Sequence, residues 1–345
     1  MAKAMAHDTD LIETESQLIE RMTRPSPQVV EAVRALDGDI LILGVGGKMG
    51  PTLAELLVRA GCTGEVVGVA RFSDRAVEEN LQGVGVRTVR ADLLEEGSLA
   101  NLPDAPNVFL LAGFKFGATG KETMTWAMNT WLPPKIVERY RDSSIVYVSS
   151  GNVYGYTSVG GRGADEEGQL APIGEYAQSR LGGERLAEFA AQRLGVRLLI
   201  SRLFYATELR YGIIHDIAWK VREGSPIDLE MGHVNQIWQG DANAYLARSF
   251  PLCSSPARVL NLTGRAELSV RRVAVRLGEE LGREPIFQGA ESDTALLGDA
   301  SRLHDELGPA PTDVDDIIRW MAHWVRSSGK SLGKPTKYDS RTGKF

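Results

Sequence analysis

The strongest constraint on the fold of this 345-residue chain is a glycine loop between a short apolar segment and a helical one. The apolar residues 40–43 lead directly into the loop Gly44-Val45-Gly46-Gly47-Lys48-Met49-Gly50, and Pro51 begins a segment whose leucines have helical spacing. Glycine permits a tight turn and a close approach of the backbone to a phosphate, and a helix N-terminus attracts negative charge. Taken alone, the loop is also compatible with an ordinary turn.

The sequence after the loop alternates between strand-like and helix-like segments. Further short apolar segments lie at residues 66–69, 86–89, 108–111, 145–148 and 197–200. Longer segments with helical spacing separate them, and this alternation predicts an α/β fold, a doubly wound parallel sheet with helices on both faces. In this context the glycine loop predicts a dinucleotide whose phosphates lie over residues 44–50.

Composition and spacing argue against several other classes of protein. The formal net charge is −6 and the basic residues are dispersed, which argues against nucleic acid as a partner. The chain has two cysteines, Cys62 and Cys253, with no CxxC spacing, and we expect a reducing, cytoplasmic location. No apolar run approaches the roughly 20 residues of a membrane span. We also expect no metal, because no His/Asp/Glu cluster has ligand spacing.

The remaining sequence predicts an arm, a second lobe and a tail. Residues 1–35 are polar and helix-prone, and precede the first convincing strand. We assign residues 36–205 to the dinucleotide-binding domain, with 232–263 returning to it, and residues 206–231 and 264–327 to a smaller substrate-binding lobe. The last residues, 328–345, are polar and rich in Gly and Lys, and we expect them to wrap the surface or a neighbouring molecule.

The residue after the second strand indicates which dinucleotide is bound. A carboxylate at this point would accept hydrogen bonds from the ribose hydroxyls of NAD. The chain instead has Arg71, whose guanidinium suits a 2′-phosphate, so we predict NADP, with NAD as the alternative. Asp92 and Leu93 follow the third strand, where the adenine amine is expected, although Asp92 could equally cap a helix.

Several motifs in the order and spacing of one family carry a wider resemblance. They are Gly44-x-x-Gly47-x-x-Gly50, Ala112-Gly113-Phe114-Lys115, Asn129 within a helix, Ser149-Ser150-Gly151-Asn152-Val153-Tyr154-Gly155, and Tyr176-Ala177-Gln178-Ser179-Arg180. Residues 39–308 thereby resemble the extended short-chain dehydrogenase/reductases, the NAD-dependent epimerase/dehydratase family that acts mostly on nucleotide sugars. The resemblance implies a Rossmann-type sheet with a smaller C-terminal substrate lobe.

The resemblance also implies roles for individual residues. Ser150 would hydrogen-bond the substrate oxygen, and Tyr176 would transfer a proton while hydride passes to or from nicotinamide. Lys115 matches a lysine that lies near the cofactor, and Ala112, Gly113 and Asn129 belong to the cofactor site by the same motif match. The expected protein is an NAD(P)-dependent oxidoreductase or epimerase acting on a secondary alcohol or ketone of a sugar or sugar derivative.

One position departs from the family pattern. A tyrosine, with its ordinary pKa of about 10, works near neutral pH only if a cation stabilises its phenolate. In the family a lysine four residues later does this, and here that residue is Arg180. Three readings remain open: Arg180 is a modified catalytic cation, Lys115 or another group replaces it, or the protein is a regulator or scaffold that binds cofactor without turnover.

The substrate side matches the family less closely. Tyr205 stands where relatives have an asparagine, and Asp241, in a segment resembling the return strand and its following helix, is expected to cap that helix. The other substrate-binding candidates, polar or aromatic side chains expected to face the cleft, are Asn152, Arg210, Asn235 and Trp238. A polyhydroxylated, sugar-like small molecule is the expected substrate. The resemblance further implies a homodimer through the helices around residues 126–139 and 176–192.

Overall fold

The computed structural model describes residues 11–115, 117 and 119–343. Its centre is a parallel sheet of seven strands, which confirms the predicted α/β, Rossmann-type fold class. The strands of this sheet are β1 (Ile40–Leu43), β2 (Val66–Ala70), β3 (Arg87–Arg90), β4 (Asn107–Leu110), β5 (Ser144–Ser150), β7 (Arg197–Leu203) and β12 (Arg258–Leu262). The two-residue strand β6 (Thr157–Ser158) lies outside it.

The strand order β12-β7-β5-β4-β1-β2-β3 places β1 beside the central strand β4 and reverses the direction of winding between these two strands. Such a reversal opens a crevice at the carboxyl ends of the strands, which is where this architecture binds ligands. The strands end within three residues of the predicted positions. The largest difference is in β7, which continues to Leu203 because Ser149 and Ser150 of β5 still pair with Arg202 and Leu203.

Helices cover both faces of the sheet and build the second lobe. They are α1 (Glu15–Thr23), α2 (Pro27–Arg34), α3 (Gly50–Ala60), α4 (Arg75–Gly83), α5 (Glu122–Trp126), α6 (Leu132–Arg139), α7 (Gly174–Leu194), α8 (Ile213–Glu223), α9 (Gln239–Ala247), α10 (Val270–Leu281), α11 (Ser301–Leu307) and α12 (Val314–Arg326). A π-helical turn, Ala127–Trp131, joins α5 to α6. Strands and helices place their apolar residues at different spacings, and this difference distinguishes the two kinds of element in the sequence.

The N-terminal arm is helical within its described part, and residues 1–10 of the predicted arm lie outside the described residues. Thr14 and Gln17 form a capping box at the start of α1, and Ser26 caps α2 with Pro27 in the first position. The arm is held to α3, where the Thr23 hydroxyl donates to Glu55 at 3.0 Å. It therefore extends the sheet-covering layer, with Val29 and Val33 in the same core as α3.

The second lobe contains short strands that stay apart from the main sheet. They are β8 (Ala206–Thr207), β9 (Ile227–Asp228), β10 (His233–Asn235), β11 (Ile237–Trp238), β13 (Glu267–Ser269), β14 (Phe287–Gln288) and β15 (Thr294–Ala295). In the segment predicted to return to the first domain, β12 joins the main sheet, whereas β10 pairs with β13 and β11 pairs with β8. The lobe has its own apolar core around α8, α10 and α12.

A buried ion pair fixes α7, the helix of the Tyr-x-x-x-Arg motif, to strand β7. The Arg202 Nη2 atom donates to Glu184 at 2.7 Å, and Nη1 donates to the Tyr154 hydroxyl at 2.7 Å. Both charged side chains are almost completely enclosed, so each would be costly to bury without the other. Arg202 thus holds α7 in place against β7.

Candidate active site

A cavity of about 270 Å³ opens at the carboxyl ends of β1, β4, β5 and β7. Its lining comes from the glycine loop, from the segments that follow these strands, from α7 and from the tail. The residues used below are Gly44, Lys48, Lys115, Ser150, Tyr176, Arg180, Tyr205, Tyr211 and Thr336. The cavity thus joins the predicted phosphate loop to the predicted proton-transfer residues.

The glycine loop has the geometry that a pyrophosphate requires. Gly44 has φ +91°, and a Cβ there would lie 2.6 Å from the amide nitrogen of Ala112. A Cβ at Gly50 would lie 2.1 Å from the carbonyl oxygen of Val45, so any side chain would push the loop away from α3. No side chain caps the first turn of α3, which leaves its N–H groups and dipole to face an anion.

Lys48 belongs to the loop, but its ammonium group turns into the cavity. The amine donates to the carbonyl oxygen of Ala206 and lies 3.6 Å from the ring centroid of Tyr211. Burial lowers the pKa of Lys48 to about 7, against a smaller opposing effect from the nearby Glu208 carboxylate. Lys48 was predicted to bind the cofactor as part of the glycine loop. Its ammonium group instead lies against Ala206 and Tyr211, on the substrate side.

Ser150 and Tyr176 lie in the same cavity, although 26 positions separate them in the sequence. Ser150 is the last residue of β5, and its hydroxyl donates to the side-chain oxygen of Asn152 at 3.0 Å. Tyr176 lies in the first turn of α7, which begins at Gly174 after an extended residue. Asn152 therefore orients the serine hydroxyl, and it lines an adjoining small cavity with Tyr205.

The amine of Lys115 contacts the rings of Tyr176 and Tyr205. Its amine lies 5.4 Å from the ring centroid of Tyr176 and 5.6 Å from that of Tyr205. Burial lowers the pKa of Lys115 to about 8. The lysine is thus still mostly protonated at neutral pH, and its charge lies within the roughly 6 Å of a ring centroid at which a cation is attracted to an aromatic face.

Arg180 lines the cavity and is almost completely buried. Its Nη2 atom donates to the carbonyl oxygen of Val148, and its guanidinium carbon lies 5.0 Å from the ring centroid of Tyr147. Only 3% of the residue is exposed, and a Cβ at Gly113 would lie 2.8 Å from Nη1. The absence of a side chain at Gly113 therefore makes room for the arginine, which braces β5 and the Ala112–Gly113 turn.

Two further tyrosines complete the wall opposite the glycine loop. Tyr205 was predicted from the sequence, whereas Tyr211 lies in a segment read only as helical and was missed. Burial raises the pKa of both phenols, so they stay neutral at physiological pH and serve as hydrogen-bonding or packing groups. Thr336 was also missed, because nothing in its polar surroundings in the sequence connects the tail to this cavity.

The predicted adenosine end of the site lies at the ends of β2 and β3. Arg71 directly follows β2; its side chain is 70% exposed, and Nη1 lies 3.8 Å from the carboxylate of Asp92. Asp92 also accepts a hydrogen bond from the amide of Leu94 at 3.0 Å, in a short turn, while Leu93 is buried. The arginine is therefore placed beside the expected ribose and remains accessible.

Three of the predicted substrate residues lie outside the described lining of the cavity. Arg210 donates to Glu208 and to Glu15 of the arm, Asn235 bonds to Ala266 and Gly298, and Trp238 packs edge-on against Trp320. Their expected position in the cleft is therefore corrected: each satisfies a contact between distant segments, which sequence spacing does not reveal.

Two other predictions are changed by the tertiary contacts. Asp241 lies inside α9 and accepts hydrogen bonds from the amide and hydroxyl of Thr312, so it does not cap its own helix. Asn129 is fully buried in the π-helical turn and accepts from the amide of Phe114 at 2.8 Å. It therefore supports the segment before Lys115 without lining the cavity.

Two kinds of feature are absent from the described residues. None of the helices there combines the length and the apolar character that a membrane crossing requires. No group of three or more His, Cys, Asp or Glu side chains within the same residues is arranged to hold a metal ion.

Comparison with solved structures shows the same architecture in several enzymes. A UDP-glucuronic acid 4-epimerase from Bacillus cereus in complex with NAD has a TM-score of 0.72 at 18% identity, over 85% of this chain and 99% of that one. A UDP-galactose 4-epimerase has a TM-score of 0.66 at 22% identity, over 84% and 99% of the two chains. At these identities the likeness establishes the fold.

A dTDP-glucose 4,6-dehydratase from Bacillus anthracis, in complex with NAD, has a TM-score of 0.70 at 15% identity, over 83% and 96% of the two chains. No curated protein matches the sequence. The family model of the NAD dependent epimerase/dehydratase family matches residues 40–207, from β1 to the end of β8. This region, which contains the glycine loop, Lys115, Ser150 and Tyr176, is therefore similar to the NAD dependent epimerase/dehydratase family.

Proposed function

We propose that the protein is an NAD(P)-dependent oxidoreductase or epimerase that acts on a secondary alcohol or ketone of a sugar-like small molecule. The observation that carries the proposal is the single cavity shared by Ser150, Tyr176, Lys115 and the glycine loop. The loop supplies a helix N-terminus without a side-chain cap from Met49 for the pyrophosphate, and Gly113 lines the same cavity. These features fit a dinucleotide whose nicotinamide end reaches Tyr176.

The chain's own residues would orient the substrate and move one proton. A bound nicotinamide supplies the hydride acceptor or donor. Ser150 accepts a hydrogen bond from the Asn152 amide and would turn its own hydroxyl hydrogen from the Asn152 side chain to the substrate oxygen, with which the Tyr176 hydroxyl exchanges a proton. The Lys115 ammonium stabilises the phenolate form of Tyr176, a role that the family assigns to the lysine replaced here by Arg180.

The first test is to identify the dinucleotide that the purified protein retains and binds. Mass spectrometry of the released cofactor, with NADPH and NADH titrations on the stripped protein, is expected to detect a nicotinamide dinucleotide. Tight retention would favour an epimerase, which regenerates its cofactor, and ready exchange would favour a dehydrogenase. Failure to bind either dinucleotide would contradict the proposal.

We further propose NADP as the preferred dinucleotide, on the basis of Arg71. Arg71→Ser is expected to weaken NADPH binding about 10- to 100-fold, because a charged hydrogen bond contributes about 1.5–3 kcal/mol, and to leave NADH binding nearly unchanged. Fluorescence titration measures both affinities. Arg87→Ser is the matched control. It removes an arginine of β3 that donates a hydrogen bond to the Glu65 carboxylate. Equal losses for NADPH and NADH would show that Arg71 does not recognise the 2′-phosphate.

The competing proposal is a dinucleotide-binding regulator or scaffold. It is favoured by the contacts of the buried Arg180 guanidinium, which is held by the Val148 carbonyl and the Tyr147 ring. Assays with sugars and sugar derivatives separate the two functions. Binding of dinucleotide without chemical conversion of any of these compounds would favour the regulator, and conversion of one of them, with or without net change in the cofactor, would exclude it.

We propose that the protein forms a homodimer through α7 and the α5–α6 segment. Exposed apolar side chains cluster on these helices: Met124, Trp126, Trp131, Leu186 and Phe189, the last of which is 62% exposed. Phe189→Glu is expected to convert the dimer to a monomer, because it places a charge in an apolar interface. Analytical ultracentrifugation measures this, with Ile286→Glu, at another exposed apolar position, as the control. A Phe189→Glu variant that remains dimeric would place the interface elsewhere.

A cytoplasmic location completes the proposal. Cys62 and Cys253 are both free thiols, one partly exposed and one buried. Burial raises the pKa of the Cys253 thiol to about 12, so this thiol stays protonated and unreactive. This cysteine chemistry is typical of a reducing compartment.

A further inference from the structure

The C-terminal segment 334–343, here called the strap, crosses the outer end of the active-site cavity. Thr336 lines that cavity together with Tyr205 and Tyr211. Further along, Ser340 and Gly343 line the small adjoining cavity, which they share with Asn152 and Tyr205. The strap therefore contributes to the walls of both cavities.

The first part of the strap is anchored to α8. The amide and the hydroxyl of Thr336 both donate to one carboxylate oxygen of Asp216, at 2.8 and 2.6 Å. Asp339 forms an ion pair with Lys220 of the same helix at 3.2 Å. The Tyr338 ring between these anchors is 2% exposed and belongs to the apolar core of the substrate lobe.

The second part is anchored by Arg341. Its guanidinium donates to the carbonyl oxygens of Glu230 and Thr294 at 3.1 and 2.9 Å, and to the Thr294 hydroxyl at 2.9 Å. The guanidinium carbon lies 4.1 Å from the ring centroid of Tyr156, whose hydroxyl donates to the Arg341 carbonyl oxygen at 3.0 Å. Side chains of the strap thus satisfy backbone groups of the lobe, as an integral wall does.

The space left inside this wall limits the substrate. The cavity of about 270 Å³ must accommodate the nicotinamide end of the cofactor as well as the substrate. Sites for drug-sized ligands usually measure about 300–1,000 Å³, so little room remains beside Tyr176 once the cofactor is bound. The adjoining cavity, at about 20 Å³, holds no more than a water molecule.

We propose that the strap determines substrate specificity by closing the outer cleft, so that the substrate is a small alcohol or carbonyl compound, of monosaccharide size or less, without a nucleotide. The inference rests on the proposed function, from which it takes the reaction that the enzyme catalyses. It concerns the part of the site away from the glycine loop, and its test uses ligand binding, which is separable from turnover.

The test measures binding of UDP-glucose by calorimetry to full-length protein saturated with NADPH. The strap variant combines Thr336→Val with Arg341→Ala, and Arg271→Ala, which removes an arginine paired with Glu291 on the same lobe, is the control. UDP-glucose is expected to bind the strap variant at least about tenfold more tightly than the wild type or the control. Acrylamide quenching of bound NADPH fluorescence is expected to increase in the strap variant only.

Equal UDP-glucose affinity in the wild type and the strap variant, whether measurable or absent, would overturn the proposal. Each variant is first checked for NADPH affinity and melting temperature, and the single variants Thr336→Val and Arg341→Gln replace the double variant if it does not fold. If the wild type fails to bind either dinucleotide, the proposed function fails. The UDP-glucose comparison on protein without cofactor still tests the strap in that case.

Discussion

Tyr176→Phe is expected to lower kcat by a factor of about 10²–10⁴, the usual contribution of a positioned acid or base. The variant keeps the ring that faces Lys115 and removes only the hydroxyl that exchanges the proton. Affinity for the dinucleotide is therefore expected to change little. The measurement is steady-state kinetics with the first substrate found, together with fluorescence titration of NADPH.

The matched control for this variant is Tyr140→Phe. The Tyr140 hydroxyl donates to the Pro103 carbonyl at 3.2 Å, and the residue lies at the end of α6 outside the described lining of the cavity. It is expected to retain full kcat. A Tyr176→Phe enzyme with the kcat of the wild type would remove Tyr176 from the proposed proton transfer.

Lys115→Met is expected to lower kcat by a factor of about 10–10³, because loss of a nearby cation makes a phenolate harder to form by that factor. Arg180→Lys is expected to have the smaller effect, because the Arg180 guanidinium donates to the Val148 carbonyl, whereas the Lys115 amine contacts the Tyr176 ring. Kinetics of the two variants under one set of conditions compare the cations directly. A larger loss in Arg180→Lys would identify the arginine as the catalytic cation.

The pH dependence of Lys115→Met separates an electrostatic role from a structural one. Burial lowers the pKa of Lys115 from 10.5 to about 8, so the wild type is expected to lose this cation, and activity with it, as the pH rises through about 8. The methionine variant is expected to lack that step in its kcat profile. An unchanged profile would indicate that Lys115 acts only by packing.

The same shift in pKa predicts the sign of an effect on stability. Between pH 8 and pH 10.5 the unfolded chain holds the Lys115 proton and the folded chain does not, so the free energy of unfolding contributed by this group rises with pH. Below pH 8 both states are protonated, and burial of the ammonium is a constant cost. The Lys115→Met variant is therefore expected to melt at a higher temperature than the wild type at neutral pH, while its activity is lower.

The fold class follows from the sequence, and so does the meeting of the glycine loop, Ser150 and Tyr176 at one cavity. Each of these depends on local patterns: apolar segments of strand length, glycines at a turn, and polar residues directly after a strand or at the start of a helix. Parallel strands bring their carboxyl ends to one edge, so residues that follow β1, β4 and β5 meet there whatever their separation along the chain.

The orientation of the charged side chains at the site depends on the tertiary structure and does not follow from the sequence pattern. Lys48, Lys115 and Arg180 are all cations near the expected cofactor, but their orientations depend on packing partners far along the chain, such as Ala206, Tyr205 and Tyr147. The strap is the extreme case, because Thr336 reaches the cavity through a bond to Asp216, 120 positions earlier. Sequence periodicity reports local conformation, whereas such contacts arise from long-range packing and hydrogen bonding.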